Sequence, residues 1–117
     1  MPQHRHAFIV SAVLLCLAQA ATAEVSDQDA IAAQLGSALG SADFASKLCP
    51  NIAIDTSRID ELAKRAKQTP EQLRKGENYA EQRDVVDAMA KQHGNAMVCM
   101  LLPKAHGGFA RGVLQAR

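Results

Sequence analysis

The chain is expected to fold as an all-α domain, a small bundle of four or five short helices crosslinked by one disulfide. Three observations predict this. Apolar residues recur at three- and four-residue steps through much of the sequence. Helix caps punctuate those stretches, and Thr69-Pro70-Glu71-Gln72 is the clearest of them. Two cysteines, Cys49 and Cys99, remain once an N-terminal leader is set aside, and Cys99 lies in the longest apolar run outside that leader, Ala96 to Leu102. In an exported domain such a pair is expected to form a disulfide.

The leader is Met1 to Ala23. A short basic start (His4-Arg5-His6) precedes the apolar segment Ala7 to Leu17, and Ala21-Thr22-Ala23 supplies the small-x-small pattern of a signal-peptidase site. The apolar core of roughly 11 residues is well short of the about 20 that a spanning helix needs. Cys16 lies inside that core behind Leu15, where a lipidation signal requires a small residue. The leader is therefore read as a cleaved signal peptide. The mature chain, residues 24–117, is expected to be a single exported domain, periplasmic or secreted, that does not span a membrane.

Composition narrows the function classes. The chain has 13 basic and 12 acidic residues, and loss of Arg5 leaves the mature protein neutral. No basic face of nucleic-acid strength is indicated. A domain this small has a marginal core, and its aromatic anchors are only Phe44, Tyr79 and Phe109. Closing a loop of about fifty residues contributes about 4 kcal/mol in the chain-entropy model. That is a large share of a typical total stability of about 5–15 kcal/mol.

The elements follow in order. Ser26 is an N-cap, with Asp27 and Asp29 in the first turn where the helix dipole favours negative charge. Ile31, Leu35 and Leu39 form its apolar stripe, and Gly40-Ser41 is expected to end or bend the helix. A second short helical piece carries Phe44 and Leu48 and stops at Cys49-Pro50. Asn51 to Ile54 is read as an extended segment laid over the core, without a partner strand. Asp55-Thr56-Ser57 caps a helix from Ser57 to Lys67 with the stripe Ile59, Leu62, Ala63 and Ala66. Asp60–Lys64 and Glu61–Arg65 are its expected ion pairs, and Lys64, Arg65 and Lys67 read as a solvated face. The Thr69 capping box starts a short helix carrying Leu73 and ending at Gly76. A longer helix spans Asn78 to His93, with Tyr79, Val86, Met89 and His93 on one face and Val85 at its edge. Gly94 is its C-cap and Asn95 the next N-cap. The Ala96–Leu102 run then forms a last helix ended by Pro103. Residues 103–117 are expected to be a loop and an apolar tail, with Phe109, Val113 and Leu114 available to fold back on the core.

Chemistry-bearing residues are few. Met89, His93, Met97 and Met100 stand at steps of four, four and three, and thioether and imidazole ligands suit copper(I). Methionine at helical spacing is also ordinary core filler, and Gly94-Asn95 interrupts the pattern. His106 sits beside Gly107-Gly108, where a catalytic histidine can work. Nucleophilic catalysis needs an activated partner, however, and the serines and threonines read as cap or helix residues. Asp84 and Asp87, with Glu81, read as a solvent-facing carboxylate set. Gly107 to Gly112 lacks the features of a phosphate loop, and no Cys-x-x-Cys-His haem site occurs. No catalytic residue, metal or cofactor is assigned. The expectation is a non-enzymatic interaction or stress-related protein, with another protein as partner through apolar surface.

Cys49 and Cys99, fifty apart in an exported helical chain of under a hundred residues, give an architecture that resembles the small periplasmic acid-stress chaperones of bacteria. Cys49-Pro50 and the glycine-bearing tail from Gly107 to Gly112 look more like small exported bacterial proteins of unknown function. The chaperone resemblance implies loosening at low pH and binding of clients through exposed apolar surface. Under it, His93 and His106 contribute to the acid response if they are buried in the neutral form.

Overall fold

Ser26 opens the first helix as expected: its Oγ accepts a hydrogen bond from the Asp29 backbone N–H at 3.2 Å. The computed structural model describes residues 26–117, and the expected signal peptide lies outside the described residues. Helix α1 spans Asp27–Leu48 without interruption. The expected break at Gly40-Ser41 does not occur, so the two N-terminal pieces are one helix. Each interior glycine costs a helix about 1 kcal/mol relative to alanine. Here a close approach to another helix offsets that cost, because a Cβ on Gly40 would lie 3.0 Å from both the Gln82 Cβ and the Tyr79 carbonyl oxygen. Burial extends beyond the stripe Ile31, Leu35 and Leu39 to Gly36, Gly40, Ser41 and Phe44. A helix covered on several sides is the central element of a core.

The partner at that approach is α4, Glu77–His93, which packs along α1 and seals the seam with fully buried Val86. Between them in sequence come α2 (Thr56–Arg65) and α3 (Pro70–Leu73). Asp55 caps α2 by accepting from the Arg58 N–H at 2.9 Å, and Ile59, Leu62, Ala63 and Ala66 are buried as the pattern requires. The α2 ion pairs differ from those expected. Glu61 pairs with Arg58 at 3.1 Å, and Arg65 instead lies over the Phe109 ring, 5.3 Å from its centroid. The Thr69 capping box is present in both directions: Thr69 Oγ1 accepts from Gln72 N–H and Gln72 Oε1 accepts from Thr69 N–H.

Gly94 (φ 88°) turns the chain into α5, Asn95–Ala105. Gly94, rather than Asn95, occupies the N-cap position, and no side chain caps the helix. Helix α5 continues through Pro103. A proline there has no N–H for the carbonyl four residues back, which belongs to Cys99, and Asn51 Nδ2 donates to that oxygen at 3.5 Å. The segment after α5 is ordered rather than a loop. It forms a 3₁₀ turn at Gly108–Ala110 and a strand, β2, at Leu114–Ala116. This strand pairs antiparallel with β1, Ile52–Ile54, aligning Ile54 with Leu114. The extended segment thus has the partner strand that its sequence neighbourhood lacks. Val113 and Leu114 are buried, so the tail closes the core. Cys49 and Cys99 are disulfide-bonded and buried, fastening the end of α1 to the middle of α5. The fold is all-α with a two-stranded accessory sheet, and no helix among the described residues is long and apolar enough to cross a membrane.

Candidate interaction site

Helix α5 is held from one side only. Val98, Cys99 and Leu102 face inward and are buried. A helical repeat of 3.6 residues puts Met97, Met100, Leu101 and Lys104 on the opposite face. Met100 is 61 % exposed, Leu101 42 % and Met97 41 %. Leu48 is also exposed, at 46 %. It ends α1 beside the crosslink, where the Cys99 Sγ lies 3.4 Å from the Leu48 carbonyl oxygen. Fully burying one such side chain is worth about 1.5–3 kcal/mol. Four of them left at the surface forgo several kcal/mol of folding energy, and they cluster around a single covalent anchor. Methionine suits a surface of this kind, because its flexible, polarisable thioether adapts to different apolar partners.

Charge follows the same division. From Ala88 to the last residue, Arg117, the sequence contains no aspartate or glutamate, while Lys91, Lys104, Arg111 and Arg117 are basic. Lys104 shares the exposed face of α5, and Lys47 precedes Leu48 in the last turn of α1. The apolar surface therefore has a cationic margin.

Two polar clusters fix the elements beneath it. Fully buried Ser41 accepts from Gln82 Nε2 at 2.9 Å, and His106 Nε2 lies 2.7 Å from the same Oγ. With the ring proton on Nδ1, the serine hydroxyl accepts from Gln82 and donates to Nε2. Burial pushes the His106 pKa below its ordinary 6.5, favouring the neutral ring. In the second cluster Asp43 accepts from Arg74 Nε and Nη2 at 3.0 and 3.1 Å and from the Tyr79 hydroxyl at 2.7 Å. Burial works to raise the Asp43 pKa, but the hydrogen bonds from Arg74 and Tyr79 and the Arg74 and Arg83 charges outweigh it and hold the carboxyl below its usual range. The same arrangement raises Tyr79, through burial first and then its bond to Asp43.

The other sequence candidates are dispersed. His93 is exposed at the end of α4, Met89 is half-buried on α4, and Met97 and Met100 lie beyond the Gly94 turn, so the four are not aligned on one unbroken helix. Asp84 is exposed, and Asp87 lies 3.9 Å from Arg83. His106 does meet a serine, an encounter the sequence reading missed. Ser41 has no accessible surface, however, so in this arrangement the pair clamps α5 to α1 and is out of reach of a substrate. A half-open cleft of about 210 Å³ between α1 and α3, lined by Asp29, Gly36, Gln72 and Leu73 among others, is smaller than ordinary ligand pockets of about 300–1,000 Å³. The signal for the α1 seam was present in the sequence: Ala32, Gly36 and Gly40 stand four apart and keep one helix face narrow. Ser41 and His106 are sixty-five positions apart and carry no such local sign. Comparison of the chain with protein-family models, with curated proteins and with solved structures finds no match.

Proposed function

We propose that this protein is a small exported module that acts by binding another polypeptide, with the outer face of α5 as its docking surface. One observation carries the reading: Met97, Met100, Leu101 and Leu48 are exposed around the disulfide that anchors the helix. Export is supported by the leader sequence and by the disulfide, which belongs to an oxidising compartment. Met89, Met97 and Met100 are the only methionines after Met1, so their methyl resonances report directly on the site. On titration with an unfolded, acidic model polypeptide, the Met97 and Met100 methyls are expected to shift with saturation, with Met89 little changed. Met100→Glu is expected to abolish the response. Absence of any saturable shift, or shifts that ignore Met100→Glu, would overturn the assignment.

A second reading, a chaperone-like response to acid, has its own support in His106 and Asp43. Protonation of His106 puts a charge into a partly buried site, and protonation of Asp43 weakens it as the acceptor of Arg74. Both events loosen the attachments of α1 as pH falls. This reading expects an apolar dye to bind between roughly pH 2 and 4, with far-ultraviolet circular dichroism largely retained, as in acid-expanded states. A dye response that stays flat down to pH 2 removes it.

A further inference from the structure

The chain itself carries a surface complementary to the α5 face. On α4, Glu77, Glu81, Asp84 and Val85 project away from the buried Val86 side at helical spacing, and all four are exposed. Val85 is 51 % exposed, between acidic neighbours. Ala80 and Ala88 are also exposed on this helix and are small enough to let a second helix approach closely. Lys91 is the first cation to join this surface, near the helix end. One helix of the protein thus offers acids around a small apolar centre, and the next offers a large apolar centre with Lys104 on it and Lys47 contributed by the end of α1.

We propose that the outer face of α5 in one copy docks on the outer face of α4 in a second copy, and that the exchange is reciprocal and gives a dimer. The proposal rests on the reading of α5 as a docking surface and names a partner for it. Within one copy the two faces belong to consecutive helices joined at Gly94, so each copy has both to offer and a two-fold arrangement satisfies both at once. The apolar contact is Met97, Met100 and Leu101 against Val85, with Lys104 and Lys47 facing Glu81 and Asp84. An anionic membrane is the poorer occupant. Helix α5 carries one cation and no aromatic anchor, whereas membrane-surface helices are rich in lysine and arginine on their polar face, and the acids of α4 belong to the adjoining helix. Each face is only a few helical turns long, and a stable complex buries about 800 Å² per partner. The dimer is therefore weak, with a Kd of micromolar order or above.

Sedimentation equilibrium of the oxidised protein between about 1 and 500 µM tests this. The expected result is a mass that rises from one copy to two with concentration. Raising the salt from about 50 to about 500 mM is expected to weaken association several-fold. The decisive arm uses two surface variants. Glu81→Lys/Asp84→Lys makes α4 basic, and Lys47→Glu/Lys104→Glu makes the α5 margin acidic. Each alone is expected to stay monomeric, because like charges then face each other. Mixed, they are expected to form a heterodimer, because every facing pair is again opposite in sign. A single-copy mass across the range overturns the proposal, as does association that the variants leave unchanged or a mixture that fails to associate. If the protein stays monomeric while Met97 and Met100 still respond to the model polypeptide, self-pairing alone falls. If neither occurs, the docking reading of α5 falls with it. Monomeric protein that instead sediments with anionic lipid vesicles, in a manner lost in Met100→Glu, also overturns the proposal.

Discussion

The α1–α4 seam and helix α5 are built by opposite rules. Along the seam, small residues bring two backbones together, polar side chains bridge them and little apolar surface is left over. Helix α5 carries the longest apolar run among the described residues, Ala96 to Leu102, yet it buries only one side and presents the rest to solvent. The seam gains stability from proximity. Helix α5 is held by a covalent bond, a hydrogen bond from Asn51 and the Ser41–His106 contact, so its outer face is not needed for folding. Apolar content alone therefore does not identify the core of this protein, and the position of the anchors does.

The largest test of this contrast is the crosslink. Cys99→Ser, paired with Cys49→Ser to avoid a free thiol, is expected to cost about 4 kcal/mol. Urea denaturation should show the loss as a lower midpoint, and reduction of the native protein should reproduce it. Equal midpoints would mean that noncovalent contacts suffice to hold α5. Next is Gly40→Ala. Alanine favours helix by about 1 kcal/mol, but its methyl group meets Gln82 and the Tyr79 carbonyl at 3.0 Å. Overpacking costs about 1–3 kcal/mol, so a net loss is expected in the same measurement. A stabilised variant would show that the seam opens readily.

Ser41→Ala sharpens the comparison from beneath α5. It leaves Gln82 and His106 without their shared partner, at a cost of about 1–3 kcal/mol. The same cluster gives a pH dependence with a defined sign. The folded His106 pKa lies below the ordinary 6.5. Well above pH 6.5 the ring is neutral in both folded and unfolded states, and its contribution is constant. As pH falls below that value the unfolded chain takes up the proton first, so stability drops, and the drop levels off once the folded state is protonated. Denaturation midpoints at stepped pH should show this slope, and His106→Gln should flatten it. The smallest expected effect is that of Met100→Ser, within about 0.5 kcal/mol, as for surface positions generally. A large loss would mean that the α5 face belongs to the fold.

The sequence made legible what depends on near neighbours. Thr69, Pro70 and Gln72 contain their whole capping box within four residues, and the α2 stripe repeats at helical period. Cys49 and Cys99 were readable because no other pairing is left once the expected leader is set aside. What stayed hidden was the work of distant groups. Gly40 reads as a helix end until Gln82 and Tyr79 occupy the space a side chain would need. Pro103 reads as a stop until Asn51 reaches the Cys99 carbonyl. His106 had no visible partner because Ser41 stands where the helix is expected to end or bend, sixty-five positions away. The exposed run in α5 was visible as apolar, but nothing in its periodicity said that half of it faces water.

The pairing of β1 with β2 imposes an order on biosynthesis. Ile54 is made sixty positions before Leu114, its partner in the sheet. Until then Ile52-Ala53-Ile54 is an apolar strand with an open edge, the kind that recruits other chains. The Asp55 N–H also waits for the Val113 carbonyl, and the Arg117 N–H reaches back to Asn51. A nascent chain thus carries an unguarded sticky segment through more than half of its synthesis, and a product cut short before Leu114 would keep it, making premature termination an aggregation hazard.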